Sequence, residues 1–215
     1  MSLKIDLKIF AFIVLFYFTN QLNIYFLIIM FAILHELGHL LVGLFLGEKP
    51  KEIKLTPFGL SMIFKINPYE FNTKIKNANL LELKKILIAI AGPLTNIIII
   101  LLCLCFYKNI EIKKLIIYSN LLIAIFNLIP IYPLDGGRII RGILHICFGK
   151  MKSERIMNDI SFIGTIILTA IASIAIYYFK NIAIFIIITY IWVIVLQENK
   201  KYKTRLRIYE TMTRI

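Results

Sequence analysis

The chain has 215 residues, of which 60% are hydrophobic, and its formal net charge is +13. A soluble domain of this length is roughly 45–50% apolar, so the composition excludes most soluble globular classes and is typical of a polytopic membrane protein. A spanning helix needs about 20 apolar residues, so this length allows roughly five to seven spans.

Apolar runs in the chain predict transmembrane helices, because lipid tolerates only a backbone whose hydrogen bonds are satisfied internally. The runs are 7–18, 22–46, 86–107, 115–131, 160–179 and 182–196. The first is short, and no small-residue cleavage site follows it, so we expect it to remain in the mature protein. The sequence therefore predicts an α-helical polytopic membrane protein with about six transmembrane helices.

The second run contains the sequence HELGH, from His35 to His39, within an otherwise lipid-soluble segment. Ionisable residues inside spans cost about 2.5 to 3.5 kcal/mol on insertion scales and usually have a function. In a helix, His35 and His39 share a face and can hold one Zn²⁺. Glu36 would lie beside the metal as a general base, as in the H-E-x-x-H pattern of zinc peptidases. The alternative is a polar cluster that only joins helices.

The segment 51–66, KEIKLTPFGLSMIFKI, is too short and too punctuated to span. Two short runs flank Pro57-Phe58-Gly59, which is a turn signal. The pattern predicts a small membrane-associated β-hairpin after the second span, with a re-entrant loop as the alternative. Residues 53–66 could then bind an unwound substrate by β-strand addition.

Two histidines do not complete a catalytic zinc site, which usually takes three protein ligands. Asp135 is the candidate third ligand, because it follows a span interrupted by Pro130 and Pro133. Proline breaks a helix, and broken backbone at membrane depth occurs where it lines a cavity or is buried in protein. The alternative is that Asp135 caps a helix starting near Gly136.

Lys and Arg are distributed unevenly over the predicted loops. If both termini are cytoplasmic, 21 of the 25 Lys and Arg face inside and 4 face outside, as the positive-inside rule predicts. This split accounts for the net charge without a nucleic-acid partner. We expect residues 1–197 to form a membrane-embedded domain and 198–215 a short basic tail that binds anionic lipid headgroups, with an acidic partner as the alternative.

Three motifs resemble, in order and spacing, the site-two protease family of intramembrane zinc metalloproteases. They are HELGH at 35–39, AGPLTN at 91–96 and NLIPIYPLDGGR at 127–138, and the last is most similar to the branch of stage IV sporulation protein FB. The resemblance implies that His35, His39 and Asp135 ligate zinc and that Glu36 is the general base.

The resemblance also assigns two asparagines. Asn127, eight residues before Asp135 and so expected on a similar helix face, would hold the substrate backbone or an oxyanion. Asn96 would help to order the core near the site, and a helix-to-helix hydrogen bond is an equal alternative.

By resemblance, the chain is an intramembrane endopeptidase with one zinc ion per chain that acts in regulated intramembrane proteolysis. Its substrate would be a membrane-tethered or membrane-associated protein, and the branch implies the pro-form of a sporulation sigma factor. The lipid bilayer and membrane regulatory or inhibitory proteins would be its other partners, and the expected location is the bacterial cell membrane.

Two other functions remain open from the residues. A metal or proton transporter also places His and Asp inside spans, but no inverted repeat is visible, and Glu36 directly after the first ligand favours hydrolysis. A catalytically inactive scaffold is the second alternative, and the presence of every expected catalytic residue disfavours it.

Overall fold

The structure is a computed structural model of the chain. It describes residues 2–5, 10, 13–14, 17–18, 22–48, 50–56, 59–64, 75–106, 109–180 and 182–213. These residues divide into two units, Met1–Asn127 and Leu128–Ile215. The first predicted span, 7–18, lies mostly outside the described residues, and its few described positions are helical.

The first unit contains a three-stranded sheet. Its strands are β1 (Ser2–Ile5), β2 (Pro50–Thr56) and β3 (Gly59–Phe64). β1 runs parallel to β2, and β3 runs antiparallel to it, so among the described strands β2 is central and the other two are edges.

The segment predicted as a hairpin, 51–66, falls on β2 and β3 of this sheet as far as Phe64. In the register of the pair, Ile53 lies opposite Met62 and Thr56 lies opposite Gly59. The predicted turn at 57–58 and the last two positions, 65–66, lie outside the described residues. Strand β1 was not predicted, because four residues are too few to show an alternating pattern.

Three helices belong to the first unit. They are α1 (Leu22–Phe45), α2 (Ile75–Phe106) and α3 (Ile110–Leu128), whose last residue is counted with the second unit. Asn109 begins α3 as an N-cap, since its Oδ1 accepts hydrogen bonds from the N–H groups of Glu111 at 3.1 Å and Ile112 at 3.3 Å.

Helices α1 and α2 pack closely, and α1 also contacts β3. At Gly38 of α1, an added Cβ would overlap the Thr95 side chain and lie 3.0 Å from the Ala91 carbonyl oxygen of α2. Small residues allow membrane helices to approach this closely.

The second unit begins with a non-helical connection, 129–134, and continues with α4 (Asp135–Phe148), α5 (Lys150–Phe179) and α6 (Ile182–Thr213). Ile131 of the connection is buried. Between α5 and α6, the Trp192 indole N–H donates to Thr169 Oγ1 at 2.9 Å. Helix α6 continues without interruption through the predicted domain boundary at 197.

Among the described residues, three helical segments are long and apolar enough to cross a membrane: Tyr25–Phe45, Asn79–Phe106 and Lys150–Tyr178. They correspond to the second, third and fifth predicted spans, so a multi-pass membrane protein is supported and the count of six stays a prediction. Apolar side chains such as Leu101 and Ile167 are exposed on these segments, whereas Asn96 and Thr165 are buried. This pattern suits a lipid environment, where polar groups face the bundle interior.

Candidate metal centre

His35 and His39 form a buried pair on one face of α1. The two residues are 2% and 3% exposed, and their Nε2 atoms lie 3.2 Å apart with the ring planes at 87°. This geometry follows from the sequence spacing, because residues four apart in a helix lie on the same face about one turn apart.

The backbone of α2 sets the tautomer of His39. Its Nδ1 lies 2.6 Å from the carbonyl oxygen of Ile88, which can only accept a hydrogen bond, so Nδ1 carries the proton. In the neutral imidazole, Nε2 is then the atom that carries a lone pair, and it lies 3.2 Å from the Nε2 of His35.

Asn96 sets the tautomer of His35 in the same way. The Nδ1 of His35 donates to Asn96 Oδ1 at 2.7 Å, and the Asn96 Nδ2 group donates to the Asn120 carbonyl oxygen at 3.3 Å. The opposite amide orientation would place two oxygens against each other. The Nε2 of His35 therefore also presents a lone pair.

Two lone pairs that face each other at 3.2 Å suit a shared cation. Two Zn–N bonds of about 2.0–2.1 Å at a tetrahedral angle place the nitrogens roughly 3.3 Å apart, close to this separation. Gly92 of α2 borders the same space, since an added Cβ there would overlap the His39 ring and lie 2.5 Å from His35 Nε2. The donor set and the clearance at Gly92 thus fit a zinc ion.

Glu36 is half-buried and follows the first histidine on α1. A helix advances about 100° per residue, so Glu36 lies beside the face that carries both imidazoles and not on it. Glu36 is therefore in the same helical turn as the two histidines but on a neighbouring face of the helix.

Asp135 lies in the second unit as the first residue of α4, and it is 3% exposed. The N-cap position belongs to Leu134, where no described side chain makes a capping hydrogen bond, so the alternative that Asp135 caps a helix starting near Gly136 is wrong. The Arg138 Nη1 lies 3.6 Å from Asp135 Oδ1. A carboxylate at a helix N-terminus is also stabilised by the helix dipole.

The start of α4 packs directly onto the connection that precedes it. A Cβ at Gly136 would overlap the Leu128 carbonyl group, and one at Gly137 would lie 2.5 Å from the backbone nitrogen of Tyr132. The two glycines after Asp135 therefore allow the backbone to fold back on itself and bury the carboxylate.

Asn127 lies in the last turn of α3, where its Nδ2 group donates to the Ile123 carbonyl oxygen at 3.0 Å. The expectation that Asn127 and Asp135 share a helix face is wrong, because α3 ends at Leu128 and α4 begins at Asp135. The interruption contains Pro130 and Pro133, which cannot donate a helical hydrogen bond.

Three contributors to the histidine pair were not predicted from the sequence: the Ile88 carbonyl, Gly92 and the backbone of Asn120. The AGPLTN motif contained Gly92, and its neighbour Asn96 was assigned only a general ordering role. A backbone carbonyl leaves no mark in the sequence, so no local pattern could have found Ile88 or Asn120.

Comparisons with known proteins agree on one family. The model of the family described as Peptidase family M50 matches residues 107–171. Zinc metalloprotease MJ0392 of Methanocaldococcus jannaschii is 37% identical over 145 residues, which cover 64% of this chain and 39% of that protein. Stage IV sporulation protein FB of Bacillus subtilis is 27% identical over 129 residues, which cover 57% of this chain and 40% of that protein.

A solved structure is also similar. The site-2 protease from Methanocaldococcus jannaschii has a TM-score of 0.65 and 27% sequence identity, and the match covers 91% of this chain and 89% of that one. By contrast, the chain spans about two fifths of the length of the two relatives named above.

Proposed function

Because this chain belongs to the site-two protease family of zinc metalloproteases, we propose that it is an intramembrane zinc endopeptidase that cleaves a membrane-associated protein. The observation that carries the proposal is the pair of buried imidazole lone pairs, 3.2 Å apart, on a helix long and apolar enough to span a membrane.

We assign His35, His39 and Asp135 as the zinc ligands, with one ion per chain. The two histidines supply matched nitrogen donors, and catalytic zinc sites usually take a third ligand from the protein. Asp135 is suited to that role, because a buried carboxylate at the end of a broken backbone needs a positive partner. Arg138 at 3.6 Å provides part of that charge and restrains the carboxylate.

Zinc at this site would lower the pKa of a water molecule towards neutrality and polarise the scissile carbonyl. Glu36 accepts a proton from the attacking water and passes it to the leaving amine. His35 and His39 keep their Nδ1 protons, because Asn96 and Ile88 hold those protons in hydrogen bonds. Asn127 donates from its side-chain amide to the substrate backbone or to an oxyanion, after releasing Ile123.

The depth of the histidines suits a hydrolase. His39 lies six residues before the end of α1 at Phe45, which is about 9 Å along the helix axis, so water has a short path to it. The positive-inside rule, applied to the basic loops, supports an orientation with that end at the inner face and both termini cytoplasmic.

A helical substrate must unwind before cleavage, since a helix hides its peptide bonds in internal hydrogen bonds. Among the described strands, β3 lies at an edge of the sheet and contacts α1, so a segment added to it would run near the histidine-bearing helix. The similarity to stage IV sporulation protein FB makes a membrane-associated sigma-factor pro-form the first substrate to test.

Glu36→Gln tests the proposal. Each candidate substrate, a membrane-tethered or membrane-associated transcription factor, is co-expressed with the full chain, and cleavage is scored on gels alongside zinc content of the purified protein. Glu36→Gln should keep its zinc and lose at least about 100-fold in cleavage, as general bases contribute 10² to 10⁴.

Glu111→Gln is the matched control, because Glu111 is exposed at the start of α3 and should be silent. Appreciable cleavage by Glu36→Gln would remove Glu36 as the base. Zinc-loaded parent protein that cleaves no candidate, yet moves zinc across proteoliposomes, would favour the transporter.

A further inference from the structure

Glu154 is a buried carboxylate in the second unit, in the second turn of α5. It is 5% exposed, and it lies beside a small cavity lined by Tyr132, Arg141, Tyr202 and Arg205. A charge this deep is expected to be paired, because burying an isolated carboxylate is very unfavourable. Glu154 plays no part in the proposed chemistry.

One oxygen of Glu154 is joined to α4. The Arg141 Nη2 group donates to Glu154 Oε1 at 2.8 Å. The same guanidinium lies over the Tyr132 ring, with its central carbon 4.8 Å from the ring centroid, which is a cation–π contact. Arg141 therefore connects α5 to the connection that precedes Asp135.

Tyr132 is held at a second point. Its backbone N–H donates to Ser161 Oγ at 3.0 Å, and Ser161 lies two turns beyond Glu154 on α5. Few backbone donors are available in this connection, since Pro130 and Pro133 have no N–H. The contacts of Tyr132 consequently carry much of the restraint on the segment that leads into Asp135.

The other oxygen of Glu154 faces α6. Arg205 Nε lies 3.4 Å from Glu154 Oε2, and that oxygen accepts no hydrogen bond from the described residues. Arg205 belongs to the stretch predicted as a basic tail, but here it is part of a continuous helix and pairs with a buried acid. Without Arg205, Oε2 would be buried with neither a hydrogen-bond donor nor this cation beside it.

We infer that Arg205 is a positioning residue for Asp135. Through Glu154 and Arg141 it holds the Tyr132 ring, and the ring holds the connection from which Asp135 begins α4. Metal ligands must be kept within about 0.5 Å of their working geometry, so loosening this connection should weaken metal retention. The link to Asp135 as a ligand rests on the proposed function, whereas the restraint on the connection does not.

Hydrogen exchange on the purified full chain, stripped of metal with a chelator, tests the restraint without zinc or activity. Arg205→Met should speed exchange at least about threefold at the amides of Tyr132 and Leu134, whose N–H groups bond Ser161 Oγ and the Ile131 carbonyl. Arg205→Lys, which keeps the charge, should restore most of the protection. Lys203→Met is the matched control on an exposed position of the same helix and should match the parent.

The second readout is release of Zn²⁺ to a colorimetric chelator in solution, which should be faster in Arg205→Met than in the parent. In a Glu154→Gln background, Arg205→Met should add little to either rate, because the two residues act through one contact. If Glu154→Gln does not fold, the comparison of Arg205→Met with Arg205→Lys decides whether Arg205 restrains the connection.

Parent-like exchange in Arg205→Met, or an equal change in Lys203→Met, would overturn the inference. Faster hydrogen exchange with an unchanged rate of zinc release would overturn the inference that Arg205 positions Asp135. If the parent binds no zinc, the proposed function fails, and the exchange data still decide whether Arg205 holds the connection.

Discussion

The Nδ1 atom of His35 lies 2.7 Å from the Oδ1 atom of Asn96, and this contact joins the HELGH helix to the helix that carries AGPLTN. Asn96 has no exposed surface, and its amide is oriented by the Asn120 carbonyl oxygen. Asn96 therefore orients the His35 ring and fixes its tautomer without being a metal ligand itself.

Asn96→Ala should weaken zinc affinity by about 10- to 100-fold, the usual effect of removing a partner of a ligating histidine. Asn96→Asp keeps the acceptor for His35 and should lose less metal than Asn96→Ala. Asn109→Ala is the control, since Asn109 caps α3 and should leave zinc binding intact. Competition with a chelator measures all three, and parent-like affinity in Asn96→Ala would contradict the orienting role.

Gly92→Ala should exclude zinc from the histidine pair. The new methyl group would overlap the His39 ring and crowd His35 Nε2, and overpacking of this kind costs about 1–3 kcal/mol, or roughly 5- to 150-fold in affinity. Gly164→Ala is the control for an added methyl group outside the histidine pair, because its Cβ would meet the Ile131 side chain at 3.1 Å and the Pro130 carbonyl oxygen at 3.9 Å. Zinc content of the two purified variants is compared, and full occupancy in Gly92→Ala would show that the ion does not lie beside this glycine.

Asp135→Ala should lose zinc together with activity, because the two histidines are too few to retain the ion. Asp159→Ala on the exposed surface of α5 is the matched control and should keep both. Metal analysis after gel filtration is the deciding measurement. Full zinc occupancy with lost activity would move Asp135 from the ligand set to a role in binding or orienting substrate.

Proline substitutions test strand addition at β3. The central strand β2 is paired on both sides, so proline at 53–55 would damage the sheet and would not report on substrate binding. Thr56 and Gly59 lie opposite each other across a two-residue connection, so they are expected to form a hydrogen-bonded pair. Hydrogen-bonded and non-hydrogen-bonded pairs alternate along an antiparallel ladder, so the N–H groups of Leu60 and Met62 point away from β2. Proline at these two positions removes the outward donors, and an edge strand can accommodate it.

We therefore expect Leu60→Pro and Met62→Pro to lose substrate cross-linking and cleavage while retaining zinc, and the matching alanine variants to be mild. Cross-linking, cleavage and zinc content are measured on the same preparations. If folded, zinc-loaded proline variants cross-link and cleave like the parent, the substrate does not pair with this edge. The metal assignment would be unaffected by that result.

Local patterns in the sequence determined the parts of this protein that depend on short spacing. Two histidines four residues apart need only a helix to share a face, and two prolines with two following glycines are enough to predict a break before α4. Five of the apolar runs likewise fall on α1, α2, α3, α5 and α6, because lipid admits few other backbone forms, whereas α4 coincides with none of the predicted runs. The sheet was predicted in part, since β2 and β3 flank a turn signal while β1 is distant along the chain.

The tertiary structure decided which neighbours complete those local features. The partners of the two imidazoles lie 61 and 49 residues away, at Asn96 and Ile88, and one of them is a backbone carbonyl that any residue could supply. The clearance at Gly92 and the contact of Arg205 with Glu154 depend in the same way on how helices pack. Local periodicity reports which face of a helix is polar, but only packing brings a particular distant group to that face.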